Sequence, residues 1–133
     1  MILLDTHAAI WVASDDPALG KRSRAAARVA LGQDQLAVSA ISFWELALLI
    51  AKGRFKSFDS AAEMRAQILH GGIVELPLTG DIALRAVDLG NLPGDPADRF
   101  IAATAICHGA TLITADDHLL TWRHSLKRMD ARK

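Results

Sequence analysis

The feature that most constrains the fold is an alternation of short apolar runs with longer segments of helical pattern. The mainly apolar runs cover residues 2–4, 36–39, 73–78 and 111–114. Short runs of this kind are typical of strands buried within a sheet. The connections between them are too long for hairpins and carry helical patterns. We therefore predict an α/β fold with a mostly parallel central sheet of four to five strands and helices on both faces.

Capping residues, prolines and glycines indicate where the helices begin and end. The predicted helices cover 8–13, 17–31, 46–52, the segment from the Asp59–Ser60 cap to Gly71, the segment from the Thr79 cap to about 89, and 96–108. No repeat or linker divides this pattern. With 133 residues, 51% of them hydrophobic and 23% charged, the chain is expected to form one domain over 1–133.

Composition and the start of the chain argue against several classes of protein. No segment approaches the roughly 20 apolar residues of a membrane span. The start of the chain lacks the features of a signal peptide, so we expect a cytoplasmic protein without a membrane partner. Cys107 is a single cysteine and forms no internal disulfide. Fifteen basic residues balance fifteen acidic ones, so any nucleic-acid binding must use local patches.

Two acidic residues stand where ligands bind in open α/β sheets, beyond the carboxyl ends of strands. Asp5 follows the first apolar run and Asp116 follows the last. Glu45 and Asp98 fall in the opening turns of predicted helices, and helix openings lie on that same edge of the sheet. We therefore expect these four carboxylates to come together.

Ionised carboxylates that crowd together repel and raise one another's pKa unless a positive group intervenes. A divalent cation is the simplest such group. Hard oxygen ligands suit Mg²⁺ or Mn²⁺, whereas zinc would require His or Cys at a spacing that this chain does not show. Such a cation polarises a phosphoryl oxygen and lowers the pKa of bound water. The acids therefore indicate phosphodiester hydrolysis.

Most of these acids also have a structural interpretation. Ser42 and Glu45 have the spacing of a capping box. If Asp95 is the N-cap of its helix, Asp98 occupies the third helical position, where a negative charge is favoured by the helix dipole. Asp5 has no cap or turn in the predicted elements to account for it, so it is the strongest candidate.

The residues around these acids match a known family. The blocks are Leu-Leu-Asp-Thr-His at 3–7, Ser-Ala-Ile-Ser-Phe-Trp-Glu-Leu-Ala at 39–47, Leu-Pro-Gly-Asp-Pro-Ala-Asp-Arg-Phe-Ile-Ala-Ala-Thr-Ala at 92–105 and Leu-Ile-Thr-Ala-Asp at 112–116. In this order and separation they resemble PIN-domain proteins, specifically VapC toxins of type II toxin–antitoxin systems. The resemblance spans essentially the whole chain.

The resemblance implies roles for particular residues. It implies a catalytic and metal-binding quartet of Asp5, Glu45, Asp98 and Asp116. It implies supporting roles at the site for Thr114, Asp95 and Thr6, with Asp117 as a neighbour of undefined role.

The resemblance also implies an activity and partners. These are an endoribonuclease toxin with Mg²⁺ or Mn²⁺, a homodimer, an RNA substrate and a cognate VapB-like antitoxin that blocks the active site. Cleavage by activated water would leave a 5′-phosphate and a 3′-hydroxyl, because the RNA 2′-hydroxyl need not take part.

Basic residues near the expected cleft are candidates for RNA contacts. Arg99, Lys52 and Arg54 are the first candidates, since a few phosphate contacts suffice for binding. A structural role at solvent-exposed helix ends would explain these three residues equally well. The basic segment 123–133 adds contacts or is an exposed surface stretch.

Other protein families that carry an acidic residue after the first strand fit this sequence less well. A haloacid-dehalogenase-type phosphatase requires a second Asp two positions after Asp5, where this chain has His7. A phosphoacceptor receiver domain requires an acidic pair and a late Lys that are not evident. The remaining alternative is a catalytically weak PIN-like module that binds protein within a DNA-binding toxin–antitoxin complex.

Overall fold

The fold is an α/β sandwich built on a parallel sheet. It was obtained as a computed structural model, which describes residues 1–53, 60–92 and 96–133. Within these residues the strands are β1 Ile2–Leu4, β2 Leu36–Ser39, β3 Val74–Leu76, β4 Thr111–Thr114 and β5 Arg128–Asp130.

All pairings in the sheet are parallel, and the strand order is β3-β2-β1-β4-β5. The first strand along the chain therefore occupies the centre. Leu3 pairs with Ala37 on one side and with Leu112 on the other. From β1 the chain first adds β2 and β3 on one side of the sheet and then adds β4 and β5 on the other side. The carboxyl ends of β1 and β4 therefore flank the position where ligands bind in such sheets.

Helices cover both faces of the sheet. They are α1 Thr6–Ala13, α2 Lys21–Gly32, α3 Ile41–Ala51, α4 Ala61–His70, α5 Gly80–Val87, α6 Pro96–His108 and α7 Asp117–Thr121. Buried residues of α1 to α4 pack with Leu4 and Ile113, whereas those of α5 to α7 pack with Leu3 and Leu112. This alternation of successive strand residues between two cores confirms the predicted fold class.

The C-terminal strand β5 was not predicted as a strand. Arg128, Met129 and Asp130 are half-buried at the sheet edge and pair with residues 112–114 of β4. A three-residue edge strand with two charged residues lacks the apolar signal that identifies the inner strands. The segment 123–133, interpreted above as a basic stretch, therefore contains a structural element.

Three predicted helix starts are wrong. α1 begins at Thr6 rather than at residue 8. α2 begins at Lys21 rather than at Pro17, because the Asp16 side chain accepts from the backbone N of Ala18 and forms a local turn. α3 begins at Ile41, so Ser42 lies inside the helix and the predicted Ser42–Glu45 capping box is absent. The Ser39 hydroxyl accepts from Ile41 N instead. The caps at Ser60 and Thr79 are confirmed.

Among the residues that the structure describes, no helix is long and apolar enough to cross a membrane.

Candidate active site

Asp5 lies directly after β1, at the carboxyl edge of the sheet, and is 6% exposed. Its Oδ1 accepts from the backbone N of Ala8 at 2.8 Å, which makes Asp5 the N-cap of α1. The expectation that Asp5 had no capping role is therefore wrong. α1 starts at Thr6, immediately after the strand, so the same side chain both caps the helix and lies at the sheet edge.

A hydrogen-bonded relay joins Asp5 to Asp116 through Thr114. The Thr114 hydroxyl, which is fully buried, donates to Asp5 Oδ2 and accepts from the backbone N of Asp116 at 3.0 Å. The backbone N of Ala115 also donates to Asp5 Oδ2, at 3.3 Å. Because β1 and β4 are neighbours, the end of one strand fixes the acid at the end of the other.

Asp116 itself caps α7, since its Oδ1 accepts from the backbone N of His118 at 2.8 Å. Asp117, which lies inside α7, forms an ion pair with Arg132 at 2.9 Å. Asp117 therefore has a structural partner away from Asp5.

Burial raises the pKa of the Asp5 carboxyl above its usual range. The hydrogen bonds from Thr114 and Ala8 lower this pKa, as does the charge of His7, but burial is the largest contribution. A buried carboxylate is stabilised in its ionised form when a cation approaches it. Asp5 therefore favours a cationic ligand at this edge.

One cavity brings the four predicted acids together. Its volume is about 380 Å³, and its lining includes Asp5, Glu45, Asp98 and Asp116. These residues come from the ends of β1 and β4, the second turn of α3 and the first turn of α6. Their catalytic and metal-binding roles stay predictions, but their location on one cavity agrees with the expected convergence.

The donor chemistry of this cavity fits Mg²⁺ or Mn²⁺. Four carboxylates offer hard oxygen ligands, and no Cys is among the described residues that line the cavity. His7 is the only imidazole in the described lining, which is fewer nitrogen ligands than zinc sites normally have. Within 1–53, 60–92 and 96–133, no three such side chains are placed closely enough to hold a metal ion as they stand.

Thr6 adds a polar group to the cavity. It is 3% exposed, and its hydroxyl has no hydrogen-bond partner among the described residues. Buried hydroxyl groups are normally paired, so this one is available to a ligand or an ordered water. The supporting role predicted for Thr6 agrees with this position.

Trp11 also lines the cavity. It is one turn after His7 on α1, and the two rings are 6.4 Å apart in an edge-to-face arrangement. The i, i+4 spacing places both on one face of a helix that begins at the site. Recognising that α1 starts at Thr6 would have revealed this pair.

The candidate RNA-binding residues have varied positions. The Arg99 guanidinium donates to the carbonyls of Ala86, Gly90 and Leu92, so it holds the end of α5 and the following loop. This structural use was not predicted for Arg99. Lys52 is exposed at the C-terminal end of α3. Arg54 and Asp95 lie outside the described residues.

Comparisons with known proteins agree with this architecture. A family model for the PIN domain matches residues 2–121. Over 124 residues, covering 92% of both chains, the sequence is 39% identical to Ribonuclease VapC22 of Mycobacterium tuberculosis (strain ATCC 25618 / H37Rv).

Two solved structures illustrate the similarity of the fold. One is VapBC2 from Rickettsia felis bound to a DNA fragment from its promoter, with a TM-score of 0.69, 17% identity, and coverage of 97% of this chain and 98% of that one. The other is VapBC-1 from nontypeable Haemophilus influenzae, with a TM-score of 0.64, 26% identity and complete coverage of both chains.

The chain therefore belongs to the PIN domain family. Its similarity to a VapC ribonuclease places it with the VapC-type members of that family.

Proposed function

We propose that this protein is an endoribonuclease toxin that hydrolyses RNA with the help of Mg²⁺ or Mn²⁺ and is neutralised by a VapB-like antitoxin. The observation that carries the proposal is the cavity lined by Asp5, Glu45, Asp98 and Asp116 at the carboxyl edge of the sheet. The 39% identity to a ribonuclease over 92% of both chains supports RNA as the substrate.

In this proposal the four carboxylates hold the cation, and the protein keeps them in place. Asp5 is fixed by donors from Ala8, Thr114 and Ala115, so its oxygens cannot rotate freely. When bound, the cation supplies a water of lowered pKa and polarises a phosphoryl oxygen. Thr6 would support the site from the lining of the same cavity.

The bond that breaks joins phosphorus to the 3′ oxygen. Oxygen from water adds to phosphorus, and the 3′ oxygen leaves and takes up a proton. The downstream fragment keeps a 5′-phosphate, and the upstream fragment ends in a 3′-hydroxyl. The 2′-hydroxyl takes no part in this reaction.

The proposed activity is tested by mapping the ends of cleaved RNA. Purified protein, separated from any antitoxin, should cleave a structured RNA when Mg²⁺ or Mn²⁺ is present and stop when EDTA is added. The downstream fragments should be degraded by a 5′-phosphate-dependent exonuclease. Fragments with 2′,3′-cyclic phosphate ends would contradict attack by water.

This chain has an exposed apolar surface next to the cavity that suits the antitoxin. Trp44 and Leu48 are exposed on α3, one turn apart. Their neighbours Glu45 and Leu49 line the cavity, so a segment that covers these apolar side chains would also block the site.

If the chain acted only as a binding module, its expression without an antitoxin would be tolerated, whereas the enzyme should arrest growth.

A second copy of the chain is proposed to cover α5. Leu84 and Val87 are 72% and 78% exposed, and Val87 lies beside an apolar cavity that includes Phe100. Exposed apolar clusters of this kind mark protein interfaces.

The proposed dimer is tested by placing a charge on α5. Leu84→Glu should convert a dimer of twice the chain mass into a monomer in sedimentation equilibrium, because the interface would bury the new carboxylate. Val29→Glu is the matched control, since Val29 is 62% exposed on α2. Equal masses for both variants would exclude α5 from the interface.

A further inference from the structure

Charge is unevenly distributed on this neutral protein. Two cavities of about 480 Å³ and 250 Å³ adjoin along α7 and the segment that follows it, and His124 lines both. We call the surface formed by these two adjoining cavities the α7 groove. Its ionisable lining residues are His118, Arg123, His124, Arg85 and Lys127. Within the described part of the chain, no Asp or Glu lines either cavity.

The α7 groove lies next to the acidic cavity, because His118 lines the groove and Asp116 lines the acidic cavity. At one end the backbone N of His118 donates to the Asp116 carboxylate. At the other end the lining includes Gly109 and Ala110, which precede β4 at the opposite edge of the sheet. The groove therefore extends from the neighbourhood of Asp116 towards the start of β4.

The cations of the groove are available to a ligand. Among the described residues, Arg85, Arg123 and Lys127 have no side-chain hydrogen bond or ion pair. This distinguishes them from Arg128, whose guanidinium donates to the carbonyls of Leu119 and His124. Unpaired cations around one groove attract a polyanion.

His124 is held in place between these cations. Its ring stacks on Trp122 with centroids 4.3 Å apart, and its Nδ1 accepts from the backbone N of Leu126. With Nδ1 as acceptor, the neutral ring carries its proton on Nε2, which leaves one donor for a ligand. A fixed donor at the junction of the two cavities suits a phosphate oxygen.

We propose that the α7 groove binds the phosphate backbone of the RNA strand as it leaves the active site. This inference rests on the proposed ribonuclease function and adds a binding site distant from the acids. Backbone contacts of this type are independent of base sequence and depend strongly on salt. The groove would then supply affinity for long RNA, while the acidic cavity performs hydrolysis.

The test compares two sets of three charge removals in the full-length chain. The groove variant carries Arg85→Gln, Arg123→Gln and Lys127→Gln. The control variant carries Arg22→Gln, Arg28→Gln and Lys21→Gln, which remove the same charges from exposed positions on α2, across the sheet. Fluorescence anisotropy measures binding of a labelled single-stranded RNA in EDTA at several salt concentrations, and circular dichroism verifies folding.

The groove variant should bind about tenfold more weakly or worse, and the slope of log K against log salt should become shallower by about 2, at about 0.7 per phosphate contact. The control should stay within about twofold of the wild type, since α2 is not on the proposed path. Equal losses of RNA affinity in both variants would overturn the proposed role of the groove. So would a groove variant that binds RNA normally and loses only its binding to duplex DNA. If the unaltered protein neither bound nor cleaved RNA, the proposed function would also fail.

Discussion

Replacing Asp5 with Asn is expected to reduce RNA cleavage by more than about 100-fold, because loss of even an indirect partner of a metal site typically reduces activity or affinity 10–100-fold. Asp5 is the most buried of the four acids, and its carboxylate accepts from Ala8 N and from the Thr114 hydroxyl. Asn keeps the size of the side chain but removes its negative charge, so the effect should fall on catalysis. Cleavage rates under saturating Mg²⁺ or Mn²⁺ provide the measurement.

The same substitution should leave the fold intact. The Asn side-chain oxygen can still accept from Ala8 N, and the Thr114 hydroxyl can accept from the amide. Burial raises the pKa of Asp5, so the ionised carboxylate destabilises the metal-free fold at neutral pH, and Asn removes that penalty. The weak bond from Ala115 is lost. The free energy of unfolding in EDTA should therefore stay within about 1 kcal/mol of the wild type.

A matched control separates this effect from a general loss of negative charge. Asp34 is exposed in the turn after α2, with φ of 56°, a conformation that Asn adopts readily. Asp34→Asn should therefore cleave RNA like the wild type. Added Mn²⁺ should raise the Tm of the wild type and of Asp34→Asn but not of Asp5→Asn. Full activity in Asp5→Asn would place the active site elsewhere.

Most of the sheet could be predicted from sequence because its inner strands are buried on both faces. Residues 2–4, 36–39 and 111–114 are mainly apolar, and the structure places strands at these positions. The edge strand β5 could not be predicted in the same way. Arg128 and Asp130 pair with β4, and the Arg128 guanidinium also donates to the carbonyl of Leu119 in α7. Neither interaction leaves a periodic apolar pattern in the sequence.

The location of the acids was predictable, but their local partners were not. Asp5 and Asp116 were identified because each follows a strand, and the structure places them on one cavity. Both also cap the helices that begin there. Capping and site location were treated as alternatives, whereas a carboxylate has several lone pairs and serves both. The relay through Thr114 depends on the register between β1 and β4, which sequence alone does not specify.

The roles of the basic residues were also difficult to predict from the sequence. Arg99 lies next to Asp98 in sequence, which suggested an RNA contact, yet its guanidinium donates to three backbone carbonyls at the end of α5 and beyond. Arg85, Arg123 and Lys127 lie outside the sequence motifs that carry the acids, yet they line adjoining cavities. Which cations are available depends on tertiary contacts with carbonyls and carboxylates. Sequence position does not reveal those contacts.

Replacing Thr114 with Val should impair both stability and activity, because one hydroxyl connects two of the acids. Val has nearly the same shape, so the change removes the donor to Asp5 Oδ2 and the acceptor for Asp116 N in a fully buried position. Unpaired buried groups cost about 1–3 kcal/mol, which is the expected decrease in the free energy of unfolding. Cleavage should fall about 10–100-fold, as expected for a residue that orients a metal ligand. Urea denaturation and initial rates of RNA cleavage measure the two effects.

Thr114→Ser is the matched control for the hydroxyl. It keeps the donor and the acceptor and removes only a methyl group, so stability should fall by about 0.8 kcal/mol and cleavage should stay near that of the wild type. The Thr114 hydrogen bond lowers the pKa of Asp5, so Ser should preserve that influence while Val abolishes it. If Ser and Val were equally impaired, packing of the methyl group would explain the defect and the relay would have no role. If only Val were impaired, the hydroxyl that joins β4 to Asp5 would be the group that positions both acids.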